Sequence, residues 1–280
     1  MENVASFFKE LYKRFEEDDV FGLAAQLAYF FLLSLFPFLL FLVTLIGYLP
    51  VDQLAFEGFM DFIETYAPSD ITKLINNNIP QLLNNQNGGL LSISIIGTLW
   101  SASNGIKAIM RAFNRAYDVD EDRSFVIARL IAIVLTIAMV LVISMAFLLP
   151  IFGKMIGEYF FSFFGLSDNF INLWGTFRWV ISSVVFFIVL TALYKLAPNK
   201  RIYFKNAIWG ALFATVLWQL VSLAFSFYVN TIGNYSAMYG SLGTVIILMI
   251  WFYISGIIII AGGVMNAVIR KMRLENEDIP

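Results

Sequence analysis

The amino-acid sequence predicts an all-α polytopic membrane protein: a bundle of six transmembrane helices with both termini in the cytoplasm. Three observations carry that expectation. The 280 residues are 60% apolar and only 14% charged, against about 45–50% and about 25% in a soluble domain. Several stretches long enough to cross a bilayer hold no charge at all. The Lys and Arg residues, finally, cluster at alternate connections between those stretches. A mean hydropathy of +0.78 agrees.

Crossing the ~30 Å hydrocarbon layer takes about 20 apolar residues at about 1.5 Å rise each. Phe21–Val51, Leu74–Ile106 and Leu130–Gly153 are free of charge, and Trp179–Tyr194 lies between Arg178 and Lys195. Asn206–Ile269 runs 64 residues without a charge, enough for two spans around Asn230–Gly240. The expected spans are 21–49, 88–110, 125–152, 170–196, 204–229 and 241–268. Fifteen of the 18 Lys and Arg fall in the N-terminus, the second and fourth connections and the tail; three fall in the first, third and fifth. Positive charge marks the cytoplasmic side, so the chain divides into a cytoplasmic N-terminal helix (1–20), a six-helix membrane domain (21–268) and a cytoplasmic tail (269–280). A charged N-terminus before an overlong apolar run argues against a cleavable signal peptide.

Two absences restrict the chemistry. The chain has no cysteine and no histidine. That removes thiolate and imidazole metal ligands, cysteine nucleophiles and the usual general base. No Gly-x4-Gly-Lys-Ser/Thr motif is present for nucleotide hydrolysis. The sequence predicts no catalytic residue, no metal and no cofactor. A net charge of −2 gives no electrostatic footprint for nucleic acid.

Outside the spans, Val4, Phe7, Phe8, Leu11 and Phe15 share one helical face. That pattern fits an amphipathic helix lying on the membrane or one packed on the bundle's cytoplasmic ends. The connection 50–87 breaks at Ala67-Pro68 and predicts a short helical extracytoplasmic cap. Lys107, Arg111 and Arg115 lie four apart and form one basic stripe, a candidate for anionic headgroups or for topology alone.

No carboxylate falls inside a predicted span, which argues against a carboxylate-driven ion pump. The intramembrane polar groups are neutral, and burial in lipid requires them to face the interior or a wet cavity. Gln26, Tyr29, Asn104, Gln219, Tyr239 and Tyr253 are the candidates for lining a substrate route; separate interhelical hydrogen bonds would explain each as well. Gly97, Ser101 and Gly105 form a small-residue stripe for close helix approach. Pro37 predicts a kink, and Gly256, Gly262 and Gly263 could loosen the last span.

Four segments resemble the YihY/virulence factor BrkB family, once labelled ribonuclease BN. They are Leu27–Pro37; Trp100–Gly105 with Asn114-Arg-Ala-Tyr117 and Glu121-Asp-Arg123; Tyr194–Pro198; and Tyr228–Gly243 with Trp251-Phe-Tyr253. The family often ends its last span with Gly-Ala-Glu, where this chain reads Gly262-Gly-Val264, so no role of that acid carries over. The resemblance implies a multi-pass protein of the bacterial plasma membrane with links to envelope lipid export. Together with the residues it suggests a transporter or flippase of an amphiphilic, lipid-like substrate without its own ATPase. The expected partners are membrane lipids, with a second copy of the chain a further candidate and nucleic acid not expected. The alternative is a non-catalytic scaffold in envelope maintenance; an enzyme such as a nuclease has the least support.

Overall fold

A computed structural model describes residues 2–46, 88–142, 168–232 and 241–277. Among them every regular element is a helix: α1 (Glu2–Glu17), α2 (Val20–Ile46), α3 (Gly88–Ala116), α4 (Phe125–Val142), α5 (Asp168–Leu196), α6 (Phe204–Ile232) and α7 (Ser241–Glu277). The expected cap at 50–87, the far part of the third span and Tyr239 lie outside the described residues. Five segments are long and apolar enough to cross a membrane: Val20–Phe41, Gly88–Ala116, Phe125–Val142, Phe204–Val229 and Val245–Leu274. In α5 the apolar stretch Val180–Leu196 is shorter.

Helix ends follow local chemistry. Asp118, with φ 50°, closes α3. Around it Val119 N–H bonds the Asn114 carbonyl and Asp118 N–H bonds that of Arg115. This is a Schellman closure in which an aspartate occupies the left-handed position usually given to glycine. Ser124 Oγ accepts the Ile127 N–H (3.4 Å) and caps α4.

Contacts at the helix ends fix the direction of each element. Arg14 of α1 reaches Asp118 after α3, and Glu10 reaches Lys271 near the end of α7. Arg123, just before α4, reaches the carbonyls that end α5, while Arg273 reaches Asn206 at the start of α6. The starts of α2, α4 and α6 therefore meet the ends of α3, α5 and α7, and the six long helices alternate in direction. This end, which also carries α1, is called the terminal end below.

The outside of the bundle is apolar. Ile93, Trp100 and Phe227 are 71%, 65% and 72% exposed, an arrangement suited to lipid rather than water. Inside, α7 packs against α1, α2, α3 and α6, and α5 packs against α6. Lipid tails are as apolar as the side chains, so helices associate through tight packing and interhelical hydrogen bonds. Small residues supply the first: Ala108, Ala112 and Ala116 on α3 and Ala207, Ala211 and Ala214 on α6 are buried. The expected stripe on α3 faces α2, with Gly97 against Pro37 and Gly105 against Leu27 and Phe31.

The glycines of α7 are contact points, not loosening points. A Cβ on Gly262 would meet the Tyr194 hydroxyl, and one on Gly263 would meet the Phe113 ring. Gly210 of α6 lies against the Gly262 carbonyl. Around this crossing Tyr194 donates to the Ile259 carbonyl (2.8 Å). Asn266 accepts the Gly210 N–H (2.7 Å) and donates to the Ala207 carbonyl (3.2 Å). Helix α7 stays continuous because its glycines lie against neighbouring side chains and backbone.

Gly210→Ala places a methyl group on backbone, which has nowhere to retreat. The expected loss is about 3 kcal/mol, read as a lower melting temperature of the purified protein by tryptophan fluorescence. An unchanged melting temperature would contradict this packing.

Candidate functional site

Three sequence segments converge in a polar hub at the terminal end. Asn114, the last buried amide of α3, accepts the Asn199 N–H (2.7 Å) and donates to Glu121 (2.9 Å). Glu121 accepts from Arg123 (2.6 Å), which also donates to the carbonyls of Leu196 (3.4 Å) and Ala197 (2.9 Å). Asn199 Nδ2 donates to the Asp120 carbonyl (2.7 Å). The Arg123 hydrogen bond holds the Glu121 carboxyl below its ordinary range. One guanidinium thus serves a carboxylate and the orphan carbonyls at the end of α5.

Helix α1 docks on this end. Phe7, Leu11 and Phe15 pack on the core, as the bundle-packed reading of the amphipathic segment expects. Phe8 and Tyr12 remain exposed. Arg14 grips Asp118 through both nitrogens (2.8 and 2.6 Å), and Lys271 donates to Glu10 (2.7 Å). Both acids are shifted downward, chiefly by those hydrogen bonds. Asp18, in the elbow before α2, is buried with one oxygen unpartnered. Desolvation pushes it up to about 6, against the nearby charge of Arg14.

A cationic face runs along the outside of α3. Ile93, Ile96, Trp100, Lys107 and Arg111 recur at helical spacing, so they share one side of the helix. Arg111 donates to Gln26 of α2 (2.6 Å), and Arg129 of α4 donates to Asn104 (2.8 Å). The Arg129 guanidinium stacks on Trp100 (4.3 Å), and the Lys107 ammonium lies over Phe125 (4.6 Å). Among the described residues none of these three cations has a carboxylate partner. Arg129 also keeps one buried nitrogen without any partner. Arg115, farther along, approaches Asp19 at 4.0 Å and the Asp18 carbonyl at 3.4 Å.

The predicted residues therefore separate. Gln26, Asn104, Lys107 and Arg111 come together, with Tyr29 exposed beside them on α2. Gln26 and Tyr29 were expected inside the bundle and stand on its outer surface. They lie in the first turns of α2, where the Gln26 amide pairs with Arg111 of α3 at the bundle surface instead of with a group in the interior. Gln219 donates to Ser183 of α5 (2.7 Å), and Tyr253 packs half-buried against the core. Among the described residues no shared hydrogen bond joins these two to the α3 face.

A cavity of about 150 Å³ lies among α2, α3, α4 and α7, walled by Phe31, Phe38, Ala102, Met139 and Trp251. Its hydroxyls at Ser34, Thr98 and Thr136 turn to carbonyls of their own helices, leaving an apolar interior. Arg129, Asn114, Glu121 and Arg123 had not been singled out as site residues. The last three stand inside the family-like motifs, which was the available signal.

Asn114, Glu121 and Arg123 of the family-like motifs thus meet in one hub. The model of the virulence factor BrkB family matches residues 11–280. The chain belongs to that family. A BrkB-family relative from Bacillus subtilis is 52% identical over 98% of this chain and 99% of its own length; it bears the name "Putative ribonuclease-like protein YfkH". A UPF0761 membrane protein of Alteromonas mediterranea is 27% identical over 93% of this chain and 87% of its own. One from Xanthomonas campestris is 24% identical over 98% of this chain but only 63% of its own length. No solved structure matches.

The elbow of this BrkB-family chain carries a pH signature. Asp18 binds its proton more tightly in the folded protein than in the unfolded chain, so its contribution to stability falls as pH rises from about 4 to about 6 and is flat above. Asp18→Asn removes that cost. We expect it to stabilise the protein on the order of 2 kcal/mol at pH 8, with the gap to wild type closing below about pH 5. Melting curves across pH test this, and a gap independent of pH contradicts it.

Proposed function

We propose that this BrkB-family protein moves an anionic amphiphile between the leaflets of the bacterial plasma membrane, as a transporter or scramblase without catalytic or ATPase activity of its own. One observation carries the reading. Lys107, Arg111 and Arg129 lie in the terminal-end turns of candidate spans, lack carboxylate partners among the described residues, and border an exposed apolar strip of Trp100, Ile96 and Ile93. Uncompensated charge in a membrane segment is costly and marks a ligand or a path. A phosphate-bearing headgroup above an acyl chain supplies both the missing negative charge and an apolar body for the strip. The apolar cavity among α2, α3, α4 and α7 supports the reading as a place for hydrocarbon.

In this proposal six helices cross the membrane and both termini are cytoplasmic. The alternating directions of α2–α7 and the gathering of basic residues at the terminal end support that topology. The label "ribonuclease-like" belongs to the relative that bears it; a chain without histidine or cysteine offers that chemistry little.

Two experiments test the reading. Purified protein in liposomes should speed the flip of fluorescent phosphatidylglycerol, and Arg111→Gln with Arg129→Gln should cut the rate at least about tenfold, the worth of a charge-assisted hydrogen bond. Rates equal to protein-free vesicles sink the transport reading and leave the scaffold alternative. Because the chain lacks cysteine, Ser6→Cys and Leu274→Cys provide single labelling sites. Both should resist an impermeant maleimide in intact cells and react after lysis; labelling of either from outside would overturn the topology.

A further inference from the structure

A second cavity, of about 220 Å³, opens at the terminal end between α1, the turn after α3 and the last turns of α7. Its polar lining is Arg14, Tyr117, Asp118, Lys200, Arg270 and Lys271. The lining charges sort into two groups. Arg14 is committed to Asp118, and Lys271 to Glu10. Lys200 and Arg270 have no carboxylate partner among the described residues. Tyr117 is 6% exposed, and its hydroxyl bonds nothing; one buried Arg270 nitrogen likewise has no partner.

Buried polar atoms in folded proteins are almost always partnered. Water could satisfy the tyrosine, but it cannot balance two cations. Burial holds the Tyr117 phenol above its ordinary range, so it remains a proton donor at any physiological pH. Three elements therefore contribute donors to the lining of one space: a hydroxyl from the end of α3, an ammonium from the α5–α6 link and a guanidinium from α7. What they lack is an anion with several acceptor oxygens.

We propose that this cavity binds a phosphate group, held by Arg270, Lys200 and the Tyr117 hydroxyl. The forked guanidinium suits two phosphate oxygens and the lysine a third. Asp118 also lines the cavity, but Arg14 holds it in a two-point pair and the four lining cations, Arg14, Lys200, Arg270 and Lys271, outnumber it. The site is separate from the α3 outer face: Tyr117 follows the end of that helix, and Arg270 and Lys200 take no part in the contacts of Lys107, Arg111 and Arg129. Its occupant is either a soluble phosphate or the phosphate of a lipid headgroup entering from the membrane edge; the chemistry recognised is the same.

The test uses full-length protein in nanodiscs of phosphatidylcholine, melted with inorganic phosphate or with chloride at equal ionic strength. A rise in melting temperature with phosphate but not chloride identifies a soluble ligand. A rise only when phosphatidylglycerol replaces part of the phosphatidylcholine identifies a headgroup. Either supports the proposal if Arg270→Gln and Tyr117→Phe weaken the apparent affinity about tenfold or more. A merely unsatisfied hydroxyl predicts the opposite for Tyr117→Phe, a more stable protein with an unchanged anion response. Lys200 is exposed, so Lys200→Gln should fold normally and still lose affinity; it decides the matter if the buried variants do not fold. No response in either arm, or the same response in Lys200→Gln and Arg270→Gln as in wild type, overturns the site.

Discussion

The fold depends on how closely α7 can approach its neighbours. At Gly262 and Gly263 the helix has no side chain to hold α5, α6 and α3 away, and Tyr194, Gly210 and Phe113 occupy the space so released. That proximity makes two polar locks feasible. The Tyr194 hydroxyl reaches a main-chain carbonyl of α7, and Asn266 spans two backbone groups of α6. In lipid, where hydrophobic burial does not favour one helix pairing over another, such contacts set register and partner. An asparagine that satisfies both an N–H and a C=O of the facing helix is hard to move along it by a turn. Val264, next to the two glycines, is fully buried in the same packing.

The terminal end is organised differently, by charge. Arg123 joins the start of α4 to the end of α5 through Glu121 and two carbonyls, and Arg14 joins α1 to the closure of α3. Both work because aspartate or glutamate sits in a short connection beside the helix end. The left-handed conformation of Asp118 aims its carboxylate back toward α1 while closing α3. The same end therefore has ion-pair clamps and, between them, cations that have no carboxylate partner among the described residues.

Much of the helical arrangement was legible from charge-free length and the placement of Lys and Arg, because a bilayer imposes both directly. The extension of α3 past its apolar run was legible from Lys107, Arg111 and Arg115 at helical spacing. The site was less so. Hydropathy treats Gln26 and Asn104 like any intramembrane amide, and only the fold shows that each faces an arginine. Arg129 could not be recognised because its partners, Asn104 and Trp100, lie 25 and 29 positions earlier on another helix. Gln219 looked equivalent to Gln26, yet it has a serine within reach and no cation. Glycine misled in the other direction: a residue that favours bending in isolation also permits contact, and the sequence does not say which use the neighbours will make of it.

The positive-inside pattern treats every Lys and Arg at the terminal end alike, since each opposes translocation equally. The structure separates them by what they face. Arg14, Arg123 and Lys271 meet carboxylates and spend their charge on joining helices. Lys107, Arg111 and Arg129 meet amides and aromatic rings, which orient a cation without neutralising it. A charge needed only for topology gains nothing from such orientation; a solvated lysine at the membrane edge would serve as well. Holding a guanidinium flat on Trp100 while an asparagine fixes one of its nitrogens restricts a side chain that otherwise has large rotamer freedom. The ring contact and the hydrogen bond that impose this restriction offset its cost, and they leave the guanidinium without a carboxylate partner among the described residues, which is the feature the proposed anionic headgroup would use.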